Sequence, residues 1–575
     1  MRIIRWLGIV LLGSWLLSGC SLNPAQPETS SPAPQPLAEP APPVREVPLS
    51  AELLYQILIA EFAAQQGELH LAAQAYLQTA ITSRDARLAN RATRMAVYSR
   101  DLNLALQAAE LWAELAPEQL EARQSLAALL LRHGQADAAV AHMQQVITLA
   151  PQGPGQGFMI ISNLLSQEND RQLAMQIMEQ LVAQYPDEPL AHYAHAHLAS
   201  QLGENELALL VLDRLLAQSP RMLDARVLQG RVHHAMGNQA EALESILRAL
   251  RQQPDNHQMR MIYARMLVDA QQLEEARRQF RILVKNQPDD SDIVYALALL
   301  AMELGDLDEA ESSFLQLLKL GERSDEARIA LGQLAEQRQQ GNEAIEWYRS
   351  ISPNSERYMD AQLQAAQLIF RQQGLTAALS FLRGLSLHSQ EDIAQRYLGE
   401  AELLAAGGQL EQAMEVYDEG VALFLNHPEL RYGRALLAEK LDRLEQLEQD
   451  LRRILASNPE HVHALNALGY TLVDRTARVE EGFDYIQRAY QLSPSDPAIL
   501  DSMGWAYFRL GQLNEALSYL RQGYAIMPDA EIAAHLGEVL WTMGQHEEAL
   551  QIWRKAEQQD PEHRVLRETL QRLAP

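Results

Sequence analysis

One turn, repeated along almost the whole chain, limits what this sequence can fold into. Helix-breaking residues recur at Gly67, Asp101, Gly134, Asn169, Gly203, Gly237, Gln271, Gly305, Gln340 and Gly341, Gly374, Gly408, Asp442, Ala477, Gly511 and Gly544. Fourteen steps from Gly67 to Gly544 cover 477 residues, about 34 each, the period of a helix-turn-helix unit stacked on copies of itself. Five residues past most turns stands an alanine, as at Ala242, Ala276, Ala413, Ala516 and Ala549. Four further on comes a large apolar residue, as at Ile246, Phe280, Tyr417, Leu520 and Trp553, and three beyond that another small or apolar one. That spacing makes one buried helical stripe. Proline closes the unit at Pro220, Pro254, Pro288, Pro494 and Pro528, because it has no N–H and clashes inside a helix.

In several first helices a glycine stands seven residues before the turn glycine, at Gly230, Gly504 and Gly537. An interior glycine costs about 1 kcal/mol relative to alanine, so its recurrence predicts close helix-on-helix contact. These residues, most fully Ser502-Met503-Gly504-Trp505-Ala506-Tyr507 with Gly511, Ala516 and Pro528, resemble the tetratricopeptide repeat. The resemblance runs from residue 51 to 561 and implies an all-α, right-handed superhelical solenoid of about 15 units with a concave and a convex face. Units turning at Asp101, Asn169 and Asp442 lack the glycine, and the stretch 321–355 is shortened, which leaves the repeat register open there. Residues 562–575, with Arg564, Arg567 and Arg572 among leucines, are predicted to be a capping helix with one wetted side.

Residues 1–19 carry two arginines, then an apolar run from Trp6 to Leu17, then small residues. This is the pattern of a secretory signal, too short for a membrane span. Leu17-Ser18-Gly19-Cys20 resembles the lipobox of bacterial lipoproteins, which implies that Cys20 becomes a lipidated N-terminus. Cys20 is the only cysteine, so no internal disulfide can form. Several acyl chains would hold the protein in a bilayer effectively permanently. Ser21 beside the cysteine points, by analogy with lipoprotein sorting, to the outer membrane with the repeats facing the periplasm. Residues 21–50 hold nine prolines and little aliphatic pattern, and are predicted as an extended spacer in the 20–50 leader segment.

Loss of Arg2 and Arg5 with the signal takes Lys plus Arg from 48 to 46 against 75 Asp plus Glu, a net charge of −29. Such a chain suits neither nucleic acid nor an anionic lipid surface. The charge either solubilises a long surface or meets a basic partner. No His-Glu-x-x-His, Gly-x-Ser-x-Gly, Cys-x-x-Cys or phosphate-loop pattern is present, so no catalytic or metal-binding residue and no cofactor beyond the Cys20 lipid is assigned. Gly153-Pro154-Gly155-Gln156-Gly157 has no strand before it and is predicted as a linker. His192, His195 and His197 lack a completing acidic ligand and are predicted to be structural or solvent-facing.

Counting the helix glycine as position 8, the repeat family lines its groove with positions 2, 5, 9 and 12 of each first helix. The resemblance thereby nominates Asn466 and Tyr470, then Asp501, Trp505 and Phe508, then Glu531, Glu538 and Trp541 as a protein-binding face. Aromatic rings beside carboxylates supply area to bury and charge to orient a ligand. The alternative is that Tyr470, Trp505, Phe508 and Trp541 pack neighbouring first helices together. The layout of lipobox, proline-rich spacer and many repeats is similar to the large repeat lipoproteins of gammaproteobacteria. That likeness implies a non-enzymatic adaptor that binds a periplasmic serine protease of the carboxy-terminal processing class and presents peptidoglycan cross-link hydrolases to it. The other reading is an assembly factor for an outer-membrane machine, pilotin-like or for polysaccharide export.

Overall fold

The structure, a computed structural model, describes residues 50–574, and among these it holds 31 helices and no strand. The signal, Cys20 and the proline-rich spacer up to residue 49 lie outside the described residues. Fifteen consecutive helix pairs, beginning with Ala51–Gln65 and Leu69–Ser83, are followed by a single last helix, Arg564–Leu573. The chain divides into two compact units, residues up to Gln316 and residues from Leu317 on. In each unit the helices of a pair pack antiparallel and bury the predicted stripes. The nine apolar residues at Met143, Met178, Leu212, Ile246, Phe280, Phe314, Tyr417, Leu520 and Trp553 are between 0% and 4% exposed.

The turns explain the period. Gly511 adopts φ +77°, its N–H bonds to the Phe508 carbonyl at 2.9 Å, and the next N–H, of Gln512, reaches the Tyr507 carbonyl at 2.9 Å. These two bonds satisfy carbonyls that the end of a helix leaves without partners. The same pair recurs where no glycine is present, at Arg100, Gln271, Gln339 and Asp442, all with φ between 58° and 60°. A side chain in that region costs roughly 1–2 kcal/mol, which the surrounding packing of the stack absorbs. The left-handed residue is therefore Arg100 rather than Asp101, and Gln339 rather than Gln340 or Gly341. Asp101 instead caps the following helix, accepting from Leu104 N–H at 2.9 Å. Asn169 and Ala477 are not left-handed, and their neighbours Asp170 and Thr476 accept from Leu173 and Arg478 N–H.

In the shortened stretch 321–355 the second helix, Gly341–Arg349, has nine residues, and the second helix of the next unit, Leu375–Arg383, beyond that stretch, also has nine, where Leu410–Leu423 has 14. Gln362 donates to the Tyr348 carbonyl at 2.9 Å, a second bond beside the one that carbonyl accepts from Ile351 N–H at 3.3 Å. Two further details depart from expectation. Only Gly153 links the helices in the glycine-rich segment: Pro154 to Gly157 open the helix Pro154–Leu165, with proline at the favoured first position. A Cβ on Gly157 would lie 2.5 Å from Ile147 Cα, so that glycine serves close approach rather than flexibility. In the last helix Arg572 does not face water alone but binds Glu538, as described below.

Candidate protein-binding face

Three successive first helices of the second unit, Val462–Arg475, Pro497–Arg509 and Ala530–Thr542, bring most of the nominated residues together. Their second helices pack hard onto Gly469, Gly504 and Gly537. A Cβ on Gly537 would fall 2.1 Å from Trp553 Nε1, and one on Gly504 2.5 Å from Leu520 Cγ. At their amino ends Asp496 and Asp529 accept from backbone N–H groups.

At the centre lies His535, a residue outside the nominated set and 2% exposed. Its Nδ1 sits 2.9 and 3.0 Å from the two Asp501 carboxylate oxygens, and its ring stacks on Trp505 with centroids 4.2 Å apart. Tyr470, two repeats upstream, donates its hydroxyl to Glu531 Oε1 at 3.0 Å and lies 3.4 Å from His535 Nε2. Trp505 Nε1 donates to Asp474 Oδ1 at 3.0 Å. Burial pulls the protonated form of His535 down, but Asp501, with Glu531 and Asp474 behind it, more than reverses this, and its pKa is raised. Burial, reinforced by the carboxylates of Glu531, Asp501 and Asp474, holds the Tyr470 phenol well above its ordinary value. This arrangement locks three helices to one another.

The remaining nominated residues are placed as follows. Asp501, Trp505 and Glu538 are buried, at 6%, 7% and 5% exposure. Glu538 takes a two-pronged bond from Arg572 of the last helix, at 2.7 and 2.5 Å. Phe508 is half-buried and stacks on Trp505 at 5.0 Å. Trp541, also half-buried, meets His546 edge-on at 4.2 Å. Asn466 is half-buried and its Oδ1 has no hydrogen-bond partner among the described residues.

The same face continues upstream, where the count of positions had not been carried. Seven residues before Gly408 and Asp442 stand Ala401 and Ala435, small residues in the place of the helix glycine. Counting from them gives Gln395, Leu398, Glu402 and Ala405, then Glu429, Tyr432, Leu436 and Glu439. All but Gln395 and Glu439 line a groove of about 650 Å³, together with Lys440, His461 and His463. Leu436 is 36% exposed. Glu402 is exposed to solvent on the groove wall; the atoms crowding its base push its carboxyl up, and it has no ion-pair partner among the described residues. Tyr432 lies 6.0 and 6.5 Å from the rings of His461 and His463. The signal for these residues was in the sequence: the register holds when alanine replaces glycine.

Elsewhere, His192 Nε2 donates to the Pro186 carbonyl at 2.9 Å, just as Arg226 braces Pro220 in the next repeat. His197 pairs with Ser162 at 3.3 Å, and His195 is buried. Among the described residues no group of three or more His, Cys, Asp or Glu could hold a metal ion, and no helix is long and apolar enough to cross a membrane.

Comparison with known proteins fits this architecture. The tetratricopeptide repeat matches residues 448–497, 502–563 and, in a second form, 158–188. The repeat domain of cytochrome c-type biogenesis protein H matches residues 194–328. A TPR repeat-containing protein of Pseudomonas aeruginosa is 50% identical over 150 residues, 26% of this chain and 25% of that one. The human protein O-mannosyl-transferase TMTC1 is 23% identical over 174 residues, 29% of this chain and 19% of that one. The chain thus spans a quarter or less of the length of these relatives. Among solved structures it is similar to a thermophilic TPR protein of Thermus thermophilus, at 23% identity over 31% of this chain and 98% of that one, with a TM-score of 0.29. A tetratricopeptide repeat protein from Parabacteroides merdae is 19% identical over 49% of this chain and 97% of that one, with a TM-score of 0.32.

Proposed function

We propose that this chain, a tetratricopeptide-repeat protein, is a non-enzymatic adaptor tethered to the outer membrane through lipid on Cys20. In this reading it faces the periplasm, holds a serine protease of the carboxy-terminal processing class, and presents cell-wall cross-link hydrolases to it for degradation. The observation that carries a binding role is the open groove on the first-helix face, with apolar Leu398, Tyr432 and Leu436 beside the carboxylate of Glu402. A repeat stack offers such a face for another polypeptide. The choice of partner rests on resemblance: the lipobox, the spacer and the repeat number are those of the lipoprotein adaptors, and assembly factors with similar anchors carry far fewer repeats.

The test is an affinity pull-down of the detergent-solubilised protein from its native envelope, with a Cys20→Ala form alongside. Co-isolation of a carboxy-terminal processing protease with cell-wall hydrolases supports the adaptor. Secretin, pilus or polysaccharide-export subunits in its place would favour the assembly-factor reading. Cys20→Ala is expected to move the protein from the membrane to the soluble fraction, and retention after mild washing would sink the anchor.

A further inference from the structure

The first and last helices close their repeats in opposite ways. The last, Arg564–Leu573, buries Leu566 and Thr569 and turns Arg564, Arg567 and Glu568 to water, as a capping helix does. The first, Ala51–Gln65, does the reverse. Small Ala60 and Ala63 face the core, while Tyr55, Leu58, Ile59 and Phe62 are 62%, 57%, 38% and 64% exposed. These four follow the i, i+3, i+4, i+7 spacing of a buried stripe. Single exposed apolar side chains are ordinary, whereas a contiguous stripe of them is a contact surface.

The repeat register tells what this stripe is shaped to meet. Ala60 stands seven residues before Gly67, so it holds position 8 and the four exposed residues hold positions 3, 6, 7 and 10. In Ser291–Glu303, a first helix of the same unit, those positions are Ile293, Ala296, Leu297 and Leu300, between 0% and 6% exposed. They share a core with Phe280 and Leu283 of the second helix before them. The stripe is therefore the seam between repeats, and its fitting occupant is an apolar helix. Residues 21–50, which lead into it, hold nine prolines, a composition that cannot supply such a helix. The apolar run Trp6 to Leu17 leaves with the signal in the reading above, the one point at which the present inference leans on it. The polar outer side of Arg564–Leu573 disfavours head-to-tail stacking of copies. A bilayer also fits poorly: the only charged residues of Ala51–Gln65 are Glu52 and Glu61, with none of the lysine or arginine that holds an amphipathic helix on lipid.

The same helix of a second copy does fit. Read along the chain, the stripe is aromatic, aliphatic, aliphatic, aromatic, so it is its own complement when run antiparallel. About a two-fold axis between Leu58 and Ile59, Tyr55 of one copy lies opposite Phe62 of the other, and Leu58 opposite Ile59. No charged residue interrupts the four, and Glu61 beside them is held by Arg91. We infer that two copies of this chain pair through their first helices into a closed two-fold dimer. Such a contact stops at two and grows no filament. One helical stripe is small against the roughly 800 Å² per partner of a standard interface, so the pairing is weak in solution and gains from tethering both copies to one bilayer. This goes beyond the adaptor reading, which leaves the number of copies open.

The test places p-benzoylphenylalanine at Tyr55 of the full-length protein and irradiates the native envelope. The expected product has twice the monomer mass, with peptides of this chain on both sides of the link. Sedimentation velocity of the mature Cys20→Ala chain, free of detergent, is expected to show monomer giving way to dimer as concentration rises to about 100 µM. Leu58→Glu should weaken the dimer at least about tenfold, because each copy sets the new charge against the other's apolar helix. The melting temperature should hold, since the side chain is largely exposed. Should Leu58→Glu fail to fold, Phe62→Glu takes its place. Raising salt should favour the dimer by screening repulsion between two acidic chains. A link to another protein or to lipid alone, a monomer throughout, or a dimer indifferent to Leu58→Glu would overturn the inference. Neither readout depends on a protease, so failure here leaves the adaptor reading standing, and failure of the pull-down leaves this inference standing.

Discussion

Two stretches of the same first-helix face meet different fates. From Tyr470 to Trp541 the groove positions are largely turned inward, on a buried network of Asp501, His535, Trp505, Tyr470 and Glu531, with Glu538 tied to the last helix. From Leu398 to His463 the same positions stay open around about 650 Å³, and the Glu402 carboxylate has no cation. Periodicity decides which residues share a face. Whether that face binds or braces depends on which partners the neighbouring repeats bring to it. At the carboxy-terminal end the extra helix and the bulk of Trp505 and His535 close the stack, and a closed end protects the apolar stripe that a terminal repeat would expose.

The comparison is most easily broken by Trp505→Ala. Its ring is 7% exposed and stacked on two others, so truncation should cost about 3–5 kcal/mol. Denaturant unfolding followed by circular dichroism would show it, and an unchanged midpoint with lost partner binding would make this stretch a docking face after all.

Asp501→Asn comes next, at about 3 kcal/mol near pH 6, because it strands a buried imidazole. The pH dependence has a definite sign. The folded pKa of His535 lies above its ordinary 6.5, so the Asp501 contribution is fully present below 6.5 and is lost as pH rises through the folded value. The stability gap between the unaltered protein and the variant should therefore shrink as pH is raised, and a gap that widened would reverse the assignment of charge.

Tyr470→Phe removes one hydrogen bond to Glu531 and is expected to cost about 1 kcal/mol. The smallest effect belongs to the open stretch: Leu436→Ala should change stability by less than about 0.5 kcal/mol, since the side chain is already 36% exposed. A large loss of midpoint there would mean that the groove wall is itself structural.

Much of the fold was legible because turn chemistry and apolar stripes repeat. Ala242 with Ile246 and Ala516 with Leu520 are buried as their spacing requires. The position of the left-handed residue was less legible where glycine is missing, since Arg100 and Gln339 carry no local sign of it and adopt it under tertiary constraint. The site was legible only as a face. Counting positions found Asp501, Trp505 and Glu531, but it missed His535, which sits at position 6 and enters the network because the first helices converge around it. The same count overlooked Glu402, Tyr432 and Leu436 because it was anchored on glycine, although Ala401 and Ala435 leave nearly the same space.

The most direct test of the account measures partner affinity and melting temperature on the same three proteins: the unaltered chain, Glu402→Gln combined with Leu436→Ala, and Trp505→Ala, each with a purified carboxy-terminal processing protease. The account predicts that the groove pair weakens binding about tenfold or more with the melting temperature held, while Trp505→Ala mainly lowers the melting temperature. Full affinity in the groove pair, with loss of binding in a thermally unchanged Trp505→Ala protein, would contradict it.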